Sequence, residues 1–218
     1  FAPDGSMLAS GSQDYTIRLW RIPEGAPVRS FTQPTEPVTQ VRYSPDGNTL
    51  ATITGDRLAR LWDVFSGTYL HSLSSASSIS FSPDSALLVT GRQVWGVADG
   101  SLISTLEAGQ GGSLVTFSSN GNTLAATSGF DLQLFSITGA IPAVSWQGHS
   151  DFVSSLAFSP DGTRLASAAM DGSLKLWQVS DQSLLGSIEG HNAFLTSMAL
   201  TRNGSQIATG FNNGIIQT

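Results

Sequence analysis

The chain has 218 residues, 40% of them hydrophobic, a formal net charge of -6 at pH 7 and no cysteine. That is enough apolar material for a substantial core, and it excludes disulfides and thiolate chemistry. The ten basic residues, nine of them Arg, are scattered along the chain, so a sequence-independent grip on nucleic-acid phosphates is not expected; no apolar run approaches the roughly 20 residues of a membrane-spanning helix.

In chain order, one pattern recurs six times. The copies are FAPDGSMLASGSQDYTIRLW from Phe1, YSPDGNTLATITGDRLARLW from Tyr43, FSPDSALLVTGRQVW from Phe81, FSSNGNTLAATSGFDLQLF from Phe117, FSPDGTRLASAAMDGSLKLW from Phe158 and LTRNGSQIATGFNNGIIQT from Leu200. Their anchors stand 42, 38, 36, 41 and 42 residues apart, a period that marks a repeat architecture. Within each copy, branched and aromatic runs read as strands. The Pro, Asp and Gly between them fix or free the backbone where the chain reverses.

A further strand follows each copy before the next anchor, with Phe31, Leu73, Leu106, Trp146 or Ile188 as its last apolar residue. Each unit is therefore a four-stranded antiparallel meander, and no stretch has helical periodicity. Runs such as LATIT and LASAA are apolar or small on both faces, so both faces should be covered by neighbouring sheets. Sheets stacked in series in this way are the blades of a β-propeller.

The period, the Gly-His before the first strand, the SPDG turn, the Asp six residues before Trp and the closing Leu-Trp resemble the WD-repeat family. The resemblance covers residues 1–218, strongest in the fifth copy and weakest in the third and fourth. Only Trp62-Asp63 keeps the dipeptide that gives the family its name. The expected fold is all-β: a β-propeller of four-stranded antiparallel blades, about 5.5 of them. The count is 22 strands, where a ring of seven such blades would need about 28. A fragment of a longer ring is the expectation, because the chain opens on a second strand and stops on a third.

The sharpest constellation is His149, Ser167, Asp171 and Trp177. Ser, His and Asp together fit a nucleophilic triad, with His activating the hydroxyl and Asp orienting His. The resemblance implies another role: a buried chain running from Trp to Ser to His to Asp, which satisfies every polar group of a covered blade. The other copies favour that role. Ser10, Asp14 and Trp20 match it in the first, and Thr52, Asp56 and Trp62 in the second, where Pro34 takes the His position. His191, Thr209 and Asn213 match it in the sixth. A catalytic centre is needed once, a structural tie in every blade.

No metal or cofactor is expected. Asp4, Asp46, Asp84 and Asp161 lie in turns and lack the alternating oxygen ligands of a calcium loop. His71 stands alone in a strand, and the Gly-rich stretch at 108–112 has no following Lys-Ser/Thr and opens no helix.

Function is expected on one rim, where the resemblance gathers the loop before the first strand and the turn between the second and third. Those positions are Gln13 in the first copy; Thr35, Pro37 and Gly55 in the second; Ser150, Phe152 and Met170 in the fifth; and Asn192, Phe194 and Asn212 in the sixth. Phe152, Met170 and Phe194 have the composition of a protein or peptide contact; the equal alternative is that both Phe side chains pack against neighbouring blades. The third and fourth copies are expected to present a small polar rim. The expected function is a non-catalytic scaffold that binds other proteins or peptides. The alternatives are a regulatory propeller joined to a kinase or nucleotide-driven domain and, less favoured, a propeller hydrolase.

Overall fold

The computed structural model describes the chain apart from residues 32–35, 75–76, 107–113, 138–141, 190–192 and 202, and apart from the side chains at 142–143. Among the described residues there is no helix, and so none long and apolar enough to cross a membrane. The fold is all-β and its sheets are propeller blades. The chain divides into two compact units, Phe1–Thr105 and Leu106–Thr218.

The first unit holds three sheets, each a meander of consecutive antiparallel strands. Blade 1 is β1 (Met7–Gly11), β2 (Ile17–Arg21) and β3 (Ala26–Phe31). Blade 2 runs β4 (Val38–Tyr43), β5 (Thr49–Thr54), β6 (Ala59–Asp63) and β7 (Tyr69–Leu73). Blade 3 runs β8 (Ile79–Phe81), β9 (Leu87–Thr90), β10 (Gln93–Gly96) and β11 (Leu102–Thr105).

The second unit repeats the plan. Blade 4 is β12 (Val115–Phe117), β13 (Thr123–Ser128), β14 (Asp131–Ser136) and β15 (Pro142–Gln147). Blade 5 is β16 (Val153–Phe158), β17 (Arg164–Ala169), β18 (Leu174–Gln178) and β19 (Leu184–Ile188). Blade 6 is β20 (Leu195–Leu200), β21 (Ile207–Phe211) and β22 (Ile216–Gln217).

The SPDG segments form the turns that set these registers. In blade 2, Ser44 Oγ donates to Asp46 Oδ1 (2.5 Å) and accepts from Thr49 N (2.9 Å). Ser82, Ser118, Ser159 and Thr201 act in the same way, with Asn120 and Asn203 replacing Asp in two turns. These carboxylates are acceptors within their own turns. The backbone next reaches positive φ, as at Gly47 (77°) and Gly162 (70°), which only glycine reaches without steric cost. In blade 3, Ser85 takes that conformation instead (63°), and its Oγ accepts from Asp46 N of blade 2 at 3.0 Å.

The cores lie between consecutive blades, which is why the second strands are apolar or small on both faces. All six residues of β5 are buried. Ile17, Leu19, Leu50 and Trp62 join blades 1 and 2, and Leu61, Leu73, Ile79 and Leu88 join blades 2 and 3. In the second unit, Leu132, Leu134, Leu165 and Trp177 join blades 4 and 5, and Ala168, Leu174, Leu195 and Phe211 join blades 5 and 6. At roughly 25 cal/mol per Å² of apolar surface removed from water, these inter-blade cores are the main stabilising term.

Polar stitches on the outer strands add to the cores in the first unit. Arg29 on β3 donates from Nη1 to Ser66 O and from Nη2 to Phe65 O, each at 2.7 Å, in the β6–β7 turn of the next blade. His71 on β7 reaches Ala98 O in the β10–β11 turn at 3.3 Å. A Cβ at Gly67 or Gly100 would fall 2.8 Å from those side chains, so both turns need glycine for close approach as well as for φ.

Candidate functional site

In blade 5 the register sets Leu165 opposite Trp177 and Ser167 opposite Lys175. With Ser167 two residues from the aromatic pair, Trp177 Nε1 donates to Ser167 Oγ at 2.9 Å. Ser167 Oγ lies 2.7 Å from His149 Nε2, and His149 Nδ1 lies 3.1 Å from Asp171 Oδ2. Indole can only donate and carboxylate can only accept, so the proton order is fixed. The Ser hydroxyl donates to Nε2, and Nδ1–H donates to the carboxylate. Ser173 Oγ, a member not foreseen from the sequence, donates to Asp171 Oδ1 at 2.6 Å and lies 2.9 Å from His149 Nδ1.

The distances are those of a hydrolase triad, but the environment is different. Ser167 is fully buried and His149 is 2% exposed, and the serine oxygen already accepts the Trp177 indole proton. No substrate carbonyl reaches that hydroxyl. Burial pushes His149 below its ordinary pKa and outweighs the Asp171 carboxylate, which favours the neutral ring at pH 7. Burial also opposes ionisation of Asp171, yet hydrogen bonds from Ser173 and from the backbone N–H groups of Ser150 and Ser173 prevail and hold it at about 2. Gly148 completes the arrangement: a Cβ there would lie 2.8 Å from the buried Leu132 side chain.

The Trp–hydroxyl half of this chain recurs. Trp20 donates to Ser10 at 2.8 Å, Trp62 to Thr52 at 3.0 Å, and Trp95 to Thr90 at 2.8 Å. The Thr90 tie is hard to find by spacing, because five residues separate the partners in blade 3 and ten elsewhere. Register reveals it: Leu88 faces Trp95 and Thr90 faces Gln93, as Leu165 faces Trp177 and Ser167 faces Lys175. In blade 4, Phe135 and Ala126 occupy the two positions, so donor and acceptor are lost together.

The His–Asp half does not recur in this form among the described residues. Asp14 is not joined to Ser10 and Trp20; it accepts from Thr16 Oγ1 (2.6 Å) and pairs with Arg18 (3.2 Å). Asp56 is likewise separate from Thr52 and Trp62. It pairs with Arg60 Nη2 at 2.6 Å and accepts from Thr54 Oγ1, and these bonds, led by Arg60, hold its carboxyl far below the usual range. Thr209 is buried, and Asn213 Oδ1 accepts from Ile215 N at 3.1 Å. His191 and Pro34 lie outside the described residues.

The rim positions come together in pairs. Met170 N donates to Phe152 O at 2.8 Å, Asn212 N to Phe194 O at 3.0 Å, and Gly55 N to Pro37 O at 2.9 Å. Asn212 Oδ1 also accepts from Phe194 N at 3.1 Å. Ser150 N donates to Asp171 Oδ2 at 2.9 Å, which ties the rim to the buried chain. Phe152 (57% exposed), Phe194 (51%) and Met170 (43%) face water, and Gln13 is exposed in the β1–β2 turn. Thr35 and Asn192 lie outside the described residues.

The fourth copy corrects the expectation of a small polar rim. Phe130, in the β13–β14 turn, is 38% exposed and packs edge-to-face on Phe152, with ring centroids 5.2 Å apart at 76°. Its carbonyl accepts from Gly148 N and His149 N. The signal was its place directly before the third strand, in the sequence SGFD.

Meander blades of one register, cored between neighbours and tied by Trp–hydroxyl bonds, define a repeat propeller. The family model "WD domain, G-beta repeat" (WD40) matches residues 1–21, 25–63, 141–178 and 182–217, more than half of the chain. The chain belongs to the WD40 repeat family. The stretch from 64 to 140 is unmatched; it contains blade 3 and the first three strands of blade 4, where the His–Asp and Trp signals thin out. Among curated relatives, the chain is 26% identical to the U3 small nucleolar RNA-associated protein 15 homolog of Xenopus tropicalis, covering 86% of this chain and 30% of that protein. It is 31% identical to the Anaphase-promoting complex subunit cdh1 of Dictyostelium discoideum, covering 82% and 24%. It is 37% identical to WD repeat and HMG-box DNA-binding protein 1 of Xenopus laevis, covering 32% and 6%. The chain thus spans less than a third of the length of each of these relatives.

Proposed function

We propose that the chain is a non-catalytic scaffold that holds a protein or peptide partner on the rim carrying Phe130, Phe152, Met170 and Phe194. The observation that carries this reading is the exposed edge-to-face pair Phe130–Phe152, with Met170 hydrogen-bonded beside it. Aromatic and Met side chains held out on a rigid framework are the composition of interface hot spots. Membership of the WD40 family supports the reading. So do relatives named as a subunit of one complex and as associated with an RNA. The buried Ser167 hydroxyl argues against hydrolysis.

The test is a double substitution, Phe130→Ser with Phe152→Ser, followed by affinity capture from extract and thermal unfolding. Partners that bind the parent chain should be lost while the melting temperature changes by less than a few degrees. Retained partners would refute the rim, and loss of folding would mean that the rings are packing residues.

A further inference from the structure

We infer that the segment recognised at this rim is cationic and apolar: a Lys or Arg beside a Leu- or Phe-like side chain. This inference rests on the rim reading above and adds the partner's chemistry. Each of the two paired rings is directly adjacent in sequence to a carboxylate, Phe130 to Asp131 and Phe152 to Asp151. Asp151 Oδ1 accepts from Phe152 N at 2.7 Å. Among the described residues neither carboxylate pairs with a cation, whereas Asp14 and Asp56 in the first unit pair with Arg18 and Arg60.

The supply of positive charge in this unit explains the difference. Acidic residues outnumber basic ones between Leu106 and Thr218, and the basic ones are Arg164, Lys175 and Arg202. Arg164 opens β17, at the end of that strand away from Met170. Lys175 is committed: its Nζ donates to Gly148 O at 2.8 Å and lies 5.9 Å from the Trp177 ring centroid. Arg202 lies outside the described residues and, in the sequence, belongs to the turn motif after Leu200.

The rings act in the same direction as the carboxylates. An edge-to-face pair leaves ring faces open, and those faces carry the negative lobe of the aromatic quadrupole. A guanidinium or ammonium laid on them, with its stem against Met170, is favoured by ring and carboxylate together. An apolar neighbour removes the rest of the exposed ring surface from water. An acidic segment meets repulsion on both counts.

The probes are three sets of short capped peptides with a central Leu or Phe, flanked by Lys/Arg, by Ser/Gly or by Asp/Glu. Binding to the whole chain is read by fluorescence anisotropy. The basic-flanked set should bind about tenfold or more tighter than the acidic-flanked set. That preference should shrink as salt is raised. Asp131→Asn with Asp151→Asn should remove most of the preference without moving the melting temperature, since Asn keeps the acceptor for Phe152 N. Phe152→Ser should weaken all three sets. Equal binding of the three sets, lost in Phe152→Ser, would overturn the charge inference and leave the rim reading standing. Preference for the acidic set would overturn the inference too. Binding by none of the sets, or binding indifferent to Phe152→Ser, would overturn both.

Discussion

Blades 2 and 5 face the same problem and solve it with different residues. Each has an Asp six residues before its Trp, at the tip of the hairpin made by its second and third strands. In blade 5 the Asp171 carboxylate is met by a neutral imidazole, which continues through Ser167 to Trp177. In blade 2 the sequence places Pro34 at the histidine position, and Asp56 turns to Arg60 on its own hairpin. Thr52 still accepts the Trp62 indole, and its hydroxyl points to Arg60 O at 3.5 Å. The Trp–hydroxyl tie and the partner of Asp are therefore separable devices. What the two blades share is that the Trp indole and the Asp carboxylate each find a partner, supplied by different residues.

Breaking the longer chain should be the most costly. Ser167→Ala strands both the Trp177 indole N–H and His149 Nε2 in a fully buried place, and should cost about 2–3 kcal/mol by urea unfolding. Trp177→Phe on top of it should add much less than it costs alone, because it removes the stranded donor; blade 4 already carries that combination as Ala126 and Phe135. In blade 2, Arg60→Met removes a partner whose side chain is 13% exposed, against an Asp56 that is 27% exposed. Water reaches the stranded carboxylate there, so the cost should be nearer 1 kcal/mol.

The smallest separation between the blades is one of pH. Because His149 is held below its ordinary value of 6.5, the unfolded chain binds a proton before the folded one does. Stability should fall as the pH drops through 6.5, and flatten only below the lowered folded value. Asp171 acts lower down: its stabilisation is present above 3.8 and is lost as the pH falls toward about 2. Comparing unfolding midpoints at about pH 7.5 and pH 5.5 in the parent and in His149→Gln checks this. Part of the drop should vanish in the variant, whereas Arg60→Met should leave it unchanged.

The repeat itself was legible because turns are local: SPDG and its variants fix the reversals, and a period near 40 does the rest. The placing of Phe152 near Met170 and of Phe194 near Asn212 came from the family resemblance, which gathers the loop before the first strand and the turn between the second and third. Contacts between blades were not. Arg29 on the β6–β7 turn and His71 on the β10–β11 turn depend on how neighbouring sheets approach, which no spacing within one copy encodes. The Thr90–Trp95 tie was hidden by a shortened hairpin that alters spacing and preserves register. Phe130 was missed because its copy lacks the family's Trp, so its rim was expected to be equally worn.

The claim that Ser167, His149 and Asp171 hold the blade together rather than carry out a reaction is tested most directly by Asp171→Ala. Equilibrium urea unfolding at neutral pH should show a loss of about 1–3 kcal/mol, because the buried His149 N–H and the Ser150 N–H both lose their acceptor. An unchanged unfolding midpoint, with a hydrolytic activity abolished by the same substitution, would contradict it.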